Sequence, residues 1–511
     1  MPASPSAQHR IYARGMWNNT GCGALARRGA AVVATGLLFS ACGSGGEEPG
    51  VAETAADSEA PSTTAPGRGV DAAVESQPGP FRYPEAPVSP ASDVPISAEA
   101  DALIEALGAS VEIGALDLDQ VALLAERGDI RQAWFIADLL RFFGAGVDEG
   151  VVLLDAFEQL AGQSVEDDPE RRRSPWLTVT NHLIAWDTPD YPGYREHKSN
   201  LFLSVEPRWE PFFADDDADV DWRHLSWGGV RIDDHEVGVS PRCTGGCIPA
   251  LDDPAVTEAA AGDWYPDDAI VFGVVEGDDA LAIPKHIAEV HEMFNLSLGG
   301  RRFAIPYCTL CGSAQAFRTD NTGAVEEPVL RTTGLLSRSN KVMYDLRSSS
   351  LFDTFTGAAV SGPLHAEELV LESATVVVSS WGAWKEAHPD TVIIAEDGGI
   401  GRGYMFSPLG GRDDNGPIFP VGPTDARLTV QELVVGVVSP AGGAVAFPSD
   451  QASETLAAGE EVEADGVRLV ADGDGLRAVN ADTGEPIAAH ESFWFAWSQF
   501  RPNSTLWSPP S

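Results

Sequence analysis

The spacing of apolar residues changes period once along this chain, and that change limits the folds open to it. From Ser97 to about Gly162 the apolar residues recur at helical spacing, in ADALIEALG, LDQVALLAERGD, IRQAWFIADLLRFFG and VDEGVVLLDAFEQLAG. This is the pattern of helices with one buried face. Glycines at 108, 128, 144 and 162 predict the helix ends. Beyond Trp264 the pattern becomes alternation and short β-branched runs, in AIVFGVV, ALAIP, RRFAIPYC, AQAF, TVVVS, TVIIA, VVGVV, AVAFP and VRLVA. Helices are predicted to interrupt these strands at IPKHIAEVHEMF and WGAWKEAHP. The expected fold class is α+β: an N-terminal helical, repeat-like layer, then a mainly antiparallel β domain of sandwich or barrel type with inserted helices.

Five segments follow from this reading. Residues 1–41 are expected to be a signal peptide, 42–96 a disordered tether, 97–170 the helical layer, 171–240 an irregular aromatic-rich connector, and 241–508 the β-rich domain. The connector carries Trp176, Trp186, Trp209, Trp222 and Trp227 with His182, His197, His224 and His235, and has no clean periodicity. Those histidines read as hydrogen-bonded or surface residues rather than ligands.

The leader ARRGAAVVATGLLFSACGSGG has two arginines, an apolar run and small residues before Cys42, the order of a secretory signal. Leu38-Phe39-Ser40-Ala41-Cys42 resembles a bacterial lipobox, in which the cysteine is acylated and becomes the first residue of the mature chain. The expected localisation is therefore the extracytoplasmic face of a cell membrane, held through Cys42. From Gly43 to Ile96 large apolar residues are almost lacking, so burial cannot offset the entropy of ordering. A net charge of −44, from 77 acidic and 33 basic residues, argues against nucleic acid as a partner. Protein partners are not identified by any motif.

Six cysteines occur. With Cys22 in the removed leader and Cys42 acylated, two close pairs remain, Cys308-x-x-Cys311 and Cys243-x-x-x-Cys247. Outside the cytoplasm close pairs default to disulfides, and PRCTGGCIP reads as a disulfide-closed loop. Cys308 and Cys311 are open to three chemistries. As a redox couple, the candidate catalytic pair would attack through Cys308 and resolve through Cys311. As a metal site, the two thiolates with His291 as third ligand suit copper or zinc, and Glu292 is the expected second-shell acceptor for the imidazole. As a structural bridge, they would leave a non-catalytic binding or scaffold module with aromatics such as Trp381, Trp384, Trp494 and Trp497 around a groove. No Gly-x-Ser-x-Gly elbow supports a hydrolase, and whether the chain is an enzyme stays open.

Several motifs stand in a fixed order: His291-Glu292; Tyr307-Cys308-Thr309-Leu310-Cys311-Gly312; Ser339-Asn340 through Met343-Tyr344-Asp345; Thr356-Gly357 through Gly362-Pro363-Leu364; Trp381 and Trp384 before His388-Pro389-Asp390-Thr391; and Trp494-Phe495-Ala496-Trp497. Together they resemble the bacterial family catalogued as domain of unknown function 3179, from about residue 240 to 508. The chain departs from that pattern at Thr309, where the family has proline, at Leu346, where it has arginine, and at Phe352, where it has tryptophan. The resemblance implies a fold neighbourhood and no assigned reaction.

Overall fold

A computed structural model describes residues 81–509, apart from 113, 145–146, 240–245, 325 and 412–415. The expected signal peptide, Cys42, Cys243 and the tether as far as residue 80 lie outside the described residues. Among the described residues no helix is long and apolar enough to cross a membrane.

Four helices, Ala98–Glu112, Leu118–Arg127, Ala133–Phe143 and Val147–Ala161, occupy the stretch of helical period. Asp117 caps the second by accepting from the Asp119 and Gln120 amides, satisfying donors that a first turn leaves open. Gly128 and Gly144 cap helix ends as expected. Gly108 does not: it lies inside the first helix. The next segment, expected to be irregular, holds three further helices among its described residues, Pro175–Ala185, Tyr194–Val205 and the short Glu210–Ala214. Ser174 at the N-cap with Pro175 behind it starts the first of these. Its nearly all-round burial hides the helical period that a half-exposed helix displays. Residues 81–96, expected to belong to a disordered tether, are packed against the helices. Arg131, itself buried, donates to the carbonyls of Ala91 and Val94, and the Phe81 and Tyr83 rings pack on His182.

The β part departs from the expected single sandwich or barrel. Among the described residues the strands fall into five small sheets of four, six, five, four and four strands, and the arrangement is a five-bladed β-propeller with a helical N-terminal region. Most pairings are antiparallel; the exceptions are short strands such as Val392–Ile394 beside Asp279–Pro284 and Thr505–Leu506 beside Ala444–Pro448. Propellers use many short strands in sheets with short edges, and strand period alone cannot separate that from a sandwich. The sheet of Leu225–Trp227, Leu330–Ser337, Asn340–Asp345 and Leu351–Asp353 shares a core with the helices, and Trp209 Nε1 donates to Thr333 O across that seam at 2.8 Å.

Two blades are built alike. In one, the hairpin Ile270–Glu276/Asp279–Pro284 is flanked by Val377–Ser380, which runs into the helix Trp381–Ala387. In the other, Leu433–Val438/Ala444–Pro448 is flanked by Ala489–Phe493, which runs into Trp494–Phe500. Each helix sends its second tryptophan onto a hairpin glycine. A Cβ on Gly273 would stand 2.4 Å from Trp384, and one on Gly436 would stand 2.1 Å from Trp497. Each indole then donates to a hydroxyl seven residues on, Trp384 to Thr391 at 3.0 Å and Trp497 to Ser504 at 2.8 Å. These tryptophans are core residues of their blades, not the lining of a groove.

Candidate functional site

The two cysteines sit where a blade strand ends. Strand Arg301–Cys308 stops at Cys308, residues 309–311 make one 3₁₀ turn, and Gly312 at φ 59° reverses the chain so that Ser313 pairs back onto Cys308. Glycine is suited to that left-handed position, and Phe493 closes over it, 2.9 Å from where a Cβ would be. The motif is followed by short strands, as its alternation suggests, so no α-helix follows the pair in sequence.

Cys308 and Cys311 are both free thiols, both buried, with their sulfurs 3.0 Å apart. Ser339 O lies 3.8 Å from the Cys308 sulfur and 3.6 Å from that of Cys311, and Asn340 Oδ1 is 3.7 Å from Cys311. The next residue, Lys341, donates to Glu292 O at 2.6 Å and Tyr307 O at 3.1 Å and pairs with Glu292 Oε2 at 3.0 Å. Three separate motifs thus converge: the helix end at 291–292, the cysteine turn, and the hairpin turn at 339–341.

The electrostatics separate the two thiols. Burial pushes Cys308 up, yet the hydrogen bond from the Cys311 thiol and the Lys341 ammonium outweigh burial and the opposing Glu292 charge, and the net shift is downward. Cys311 goes the other way, raised by burial and then by the neighbouring Cys308 sulfur and its charge. Cys308 is thus the more acidic of the two thiols, the order in which a nucleophile and a resolving partner work.

His291 is buried at the end of the helix Lys285–His291 and is held at both nitrogens. Nδ1 donates to Pro249 O at 2.8 Å, which leaves Nε2 to accept from Tyr404 OH at 2.8 Å. Burial lowers its pKa to about 4. Glu292, in the left-handed region at φ 52°, turns its carboxylate to Lys341 and Thr309 rather than to the imidazole. Consecutive residues on either side of a helix end diverge, so the acceptor expected from Glu292 is supplied by Pro249 O instead. Among the described residues no group of three or more His, Cys, Asp or Glu side chains is placed to hold a metal ion. Cys247 is disulfide-bonded; Cys243, the expected partner, lies outside the described residues.

Lys341, Tyr404 and Pro249 were not singled out from sequence. Lys341 had a signal, since it follows Ser339-Asn340 in an ordered motif, but only the hairpin shows that its chain reaches the cysteine strand. Tyr404 lies over a hundred residues from His291 with no local pattern linking them.

Fold and site together define a propeller-bearing protein with a buried, electrostatically divided dithiol. The family model described as protein of unknown function (DUF3179) matches residues 245–504, about half of the chain, and the protein belongs to that family. No curated protein and no solved structure matches the chain.

Proposed function

We propose that the protein is an extracytoplasmic, membrane-anchored thiol redox protein in which Cys308 and Cys311 cycle between dithiol and disulfide. The observation that carries this reading is the 3.0 Å approach of two free, buried sulfurs whose acidities are pushed in opposite directions. The Cys308 thiolate attacks one sulfur of a small disulfide, forming a mixed disulfide and expelling the other half as a thiolate, which takes up a proton. Cys308 then carries no charge, and the two influences by which it raises Cys311 are gone. Cys311 loses its proton more readily, attacks the Cys308 sulfur and releases the second half of the substrate. Two protein thiols become one disulfide, and one substrate disulfide becomes two thiols. Both sulfurs are buried, so the disulfide reaches Cys308 only when the surrounding turn opens.

Copper is the second reading, and the downward-shifted Cys308 favours it, because soft metals bind thiolates. Zinc is a poorer match, since a structural site asks for four ligands and both nitrogens of His291 are engaged elsewhere. Anchoring through an acylated Cys42 belongs to the same proposal and rests on the leader alone.

Protein produced with its own export signal tests all three parts. Thiol counting and elemental analysis on native protein and on Cys308→Ser are expected to give a reversible dithiol without stoichiometric metal. About one copper per chain, lost in Cys308→Ser, would replace the redox reading with the metal one. Cys42→Ala is expected to move the protein from the membrane to the soluble fraction, and an unmodified N-terminus away from Cys42 would reject the anchor.

A further inference from the structure

Ser339 borders both sulfurs yet has no part in the exchange described above. Strands Leu330–Ser337 and Asn340–Asp345 pair Ser337 with Asn340, so residues 338 and 339 make a two-residue turn, with Arg338 at φ 53° in the left-handed region that such turns use. That turn delivers Ser339 and Asn340 to the dithiol. Ser339 O is 3.6 Å and Asn340 Oδ1 3.7 Å from the Cys311 sulfur. Both are acceptors, and an acceptor serves Cys311 only while it is a thiol.

The resolving step needs the opposite. Cys311 must lose its proton at a buried position, where an ion without a donor is costly. Burial opposes that loss most, followed by the Cys308 sulfur and its charge, and the Glu292 carboxylate adds to them. The hydrogen bond from the Ser339 hydroxyl works the other way and favours the thiolate. Ser339 is 1% exposed, and its Oγ has no partner of ordinary hydrogen-bond geometry among the described residues, so its contact with Cys311 is loose while the sulfur is a thiol. A thiol sulfur is a weak acceptor and a thiolate a strong one. Hydrogen bonds of this kind tighten when the charge they serve develops.

We propose that Ser339 is a positioning residue for the resolving step, its hydroxyl closing on the Cys311 sulfur as that sulfur is deprotonated and attacks Cys308 in the mixed disulfide. The Cys311 proton goes to the thiolate expelled in the first step. The bond between Cys311 and Cys308 forms, the bond from Cys308 to the substrate half breaks, and that half departs with the electron pair as a thiolate. The inference rests on the redox reading and assigns Ser339 to the second step alone.

Two measurements on the full chain separate the two ideas. In Cys308→Ser, where the pair cannot close, the Cys311 thiolate is titrated by its absorbance. Adding Ser339→Ala is expected to raise that titration by at least about one pH unit, the effect of losing a hydrogen bond to a charged group. In the native dithiol, dithiobis(nitrobenzoate) releases one coloured thiolate when Cys308 attacks and a second when Cys311 resolves. Ser339→Ala is expected to leave the first phase unchanged and to slow the second by about tenfold or more. An unchanged Cys311 titration, a second phase as fast as in the native protein, or equal slowing of both phases overturns the proposal and leaves the redox reading in place. A native protein that releases the first thiolate and never the second removes the redox reading itself, and the role of Ser339 with it.

Discussion

Trp497 stands where a side chain on Gly436 would have to go: a Cβ built on that glycine lies 2.1 Å from the indole. Real Cβ contacts do not come so close, so any side chain at 436 must displace a ring that is pinned through its Nε1 to Ser504. Forcing extra methyl groups into a packed core typically costs about 1–3 kcal/mol. Gly436→Ala is therefore expected to destabilise the protein by that amount in denaturant unfolding, and Gly273→Ala, facing Trp384, by a similar amount. Gly443→Ala is the control, because its nearest neighbour is the Ser439 hydroxyl at 3.7 Å, and its effect should stay within about 0.5 kcal/mol.

Stability should depend on pH through buried groups that resist charging. Burial lowers His224, His286, His291 and His490 from 6.5 to about 4. Their contribution is present above pH 6.5 and is lost as pH falls toward 4, so the unfolding midpoint should drop across that window. Glu491 behaves oppositely. Burial, with Asp450 nearby, raises it from 4.5 to about 7, so its contribution is present below pH 4.5 and lost as pH rises through 7. Glu491→Gln should gain on the native protein by about 3 kcal/mol between pH 4.5 and pH 8. A constant difference between the two proteins across that range would show that Glu491 ionises freely.

Lys341 is a positioning residue for the dithiol, and its replacement should move a titration rather than simply unfold the chain. Burial opposes the Cys308 thiolate and the Lys341 ammonium helps to stabilise it, so Lys341→Met is expected to raise the pH at which thiolate absorbance develops. Lys341→Arg, which keeps the charge, should restore part of the shift. A structural role alone would lower stability in both variants and leave the thiolate titration of the folded protein where it was.

The halves of this fold differed in how much local sequence could reveal. The helices Ala98–Glu112, Leu118–Arg127 and Val147–Ala161 each show one buried face, and their period is visible without knowing what covers it; Ala133–Phe143, buried throughout 133–140, is the exception among them. The helix Pro175–Ala185 is buried almost all round, so it has no contrasting face to read. The tether's inner end was hidden for another reason: Phe81 and Tyr83 are ordered by rings a hundred residues away. The duplicate blades share little beyond a hairpin glycine and a Trp-x-x-Trp helix, so the repeat appears only when Gly273 and Gly436 are seen under Trp384 and Trp497. At the site, the cysteine pair was legible from spacing. The route of Lys341 to Glu292 and Tyr307 and the turning of Glu292 away from His291 depend on pairings between distant strands and on one left-handed residue at a helix end.

The most direct measurement is a redox titration of the full chain in dithiol–disulfide buffers, read by mass spectrometry of the trapped thiols. The expected result is one reversible two-electron step assigned to Cys308 and Cys311, with Cys247 unchanged throughout. If both thiols stay reduced, or stay joined, over the whole range reached by small extracytoplasmic thiols and disulfides, the dithiol does not cycle and the redox function is wrong.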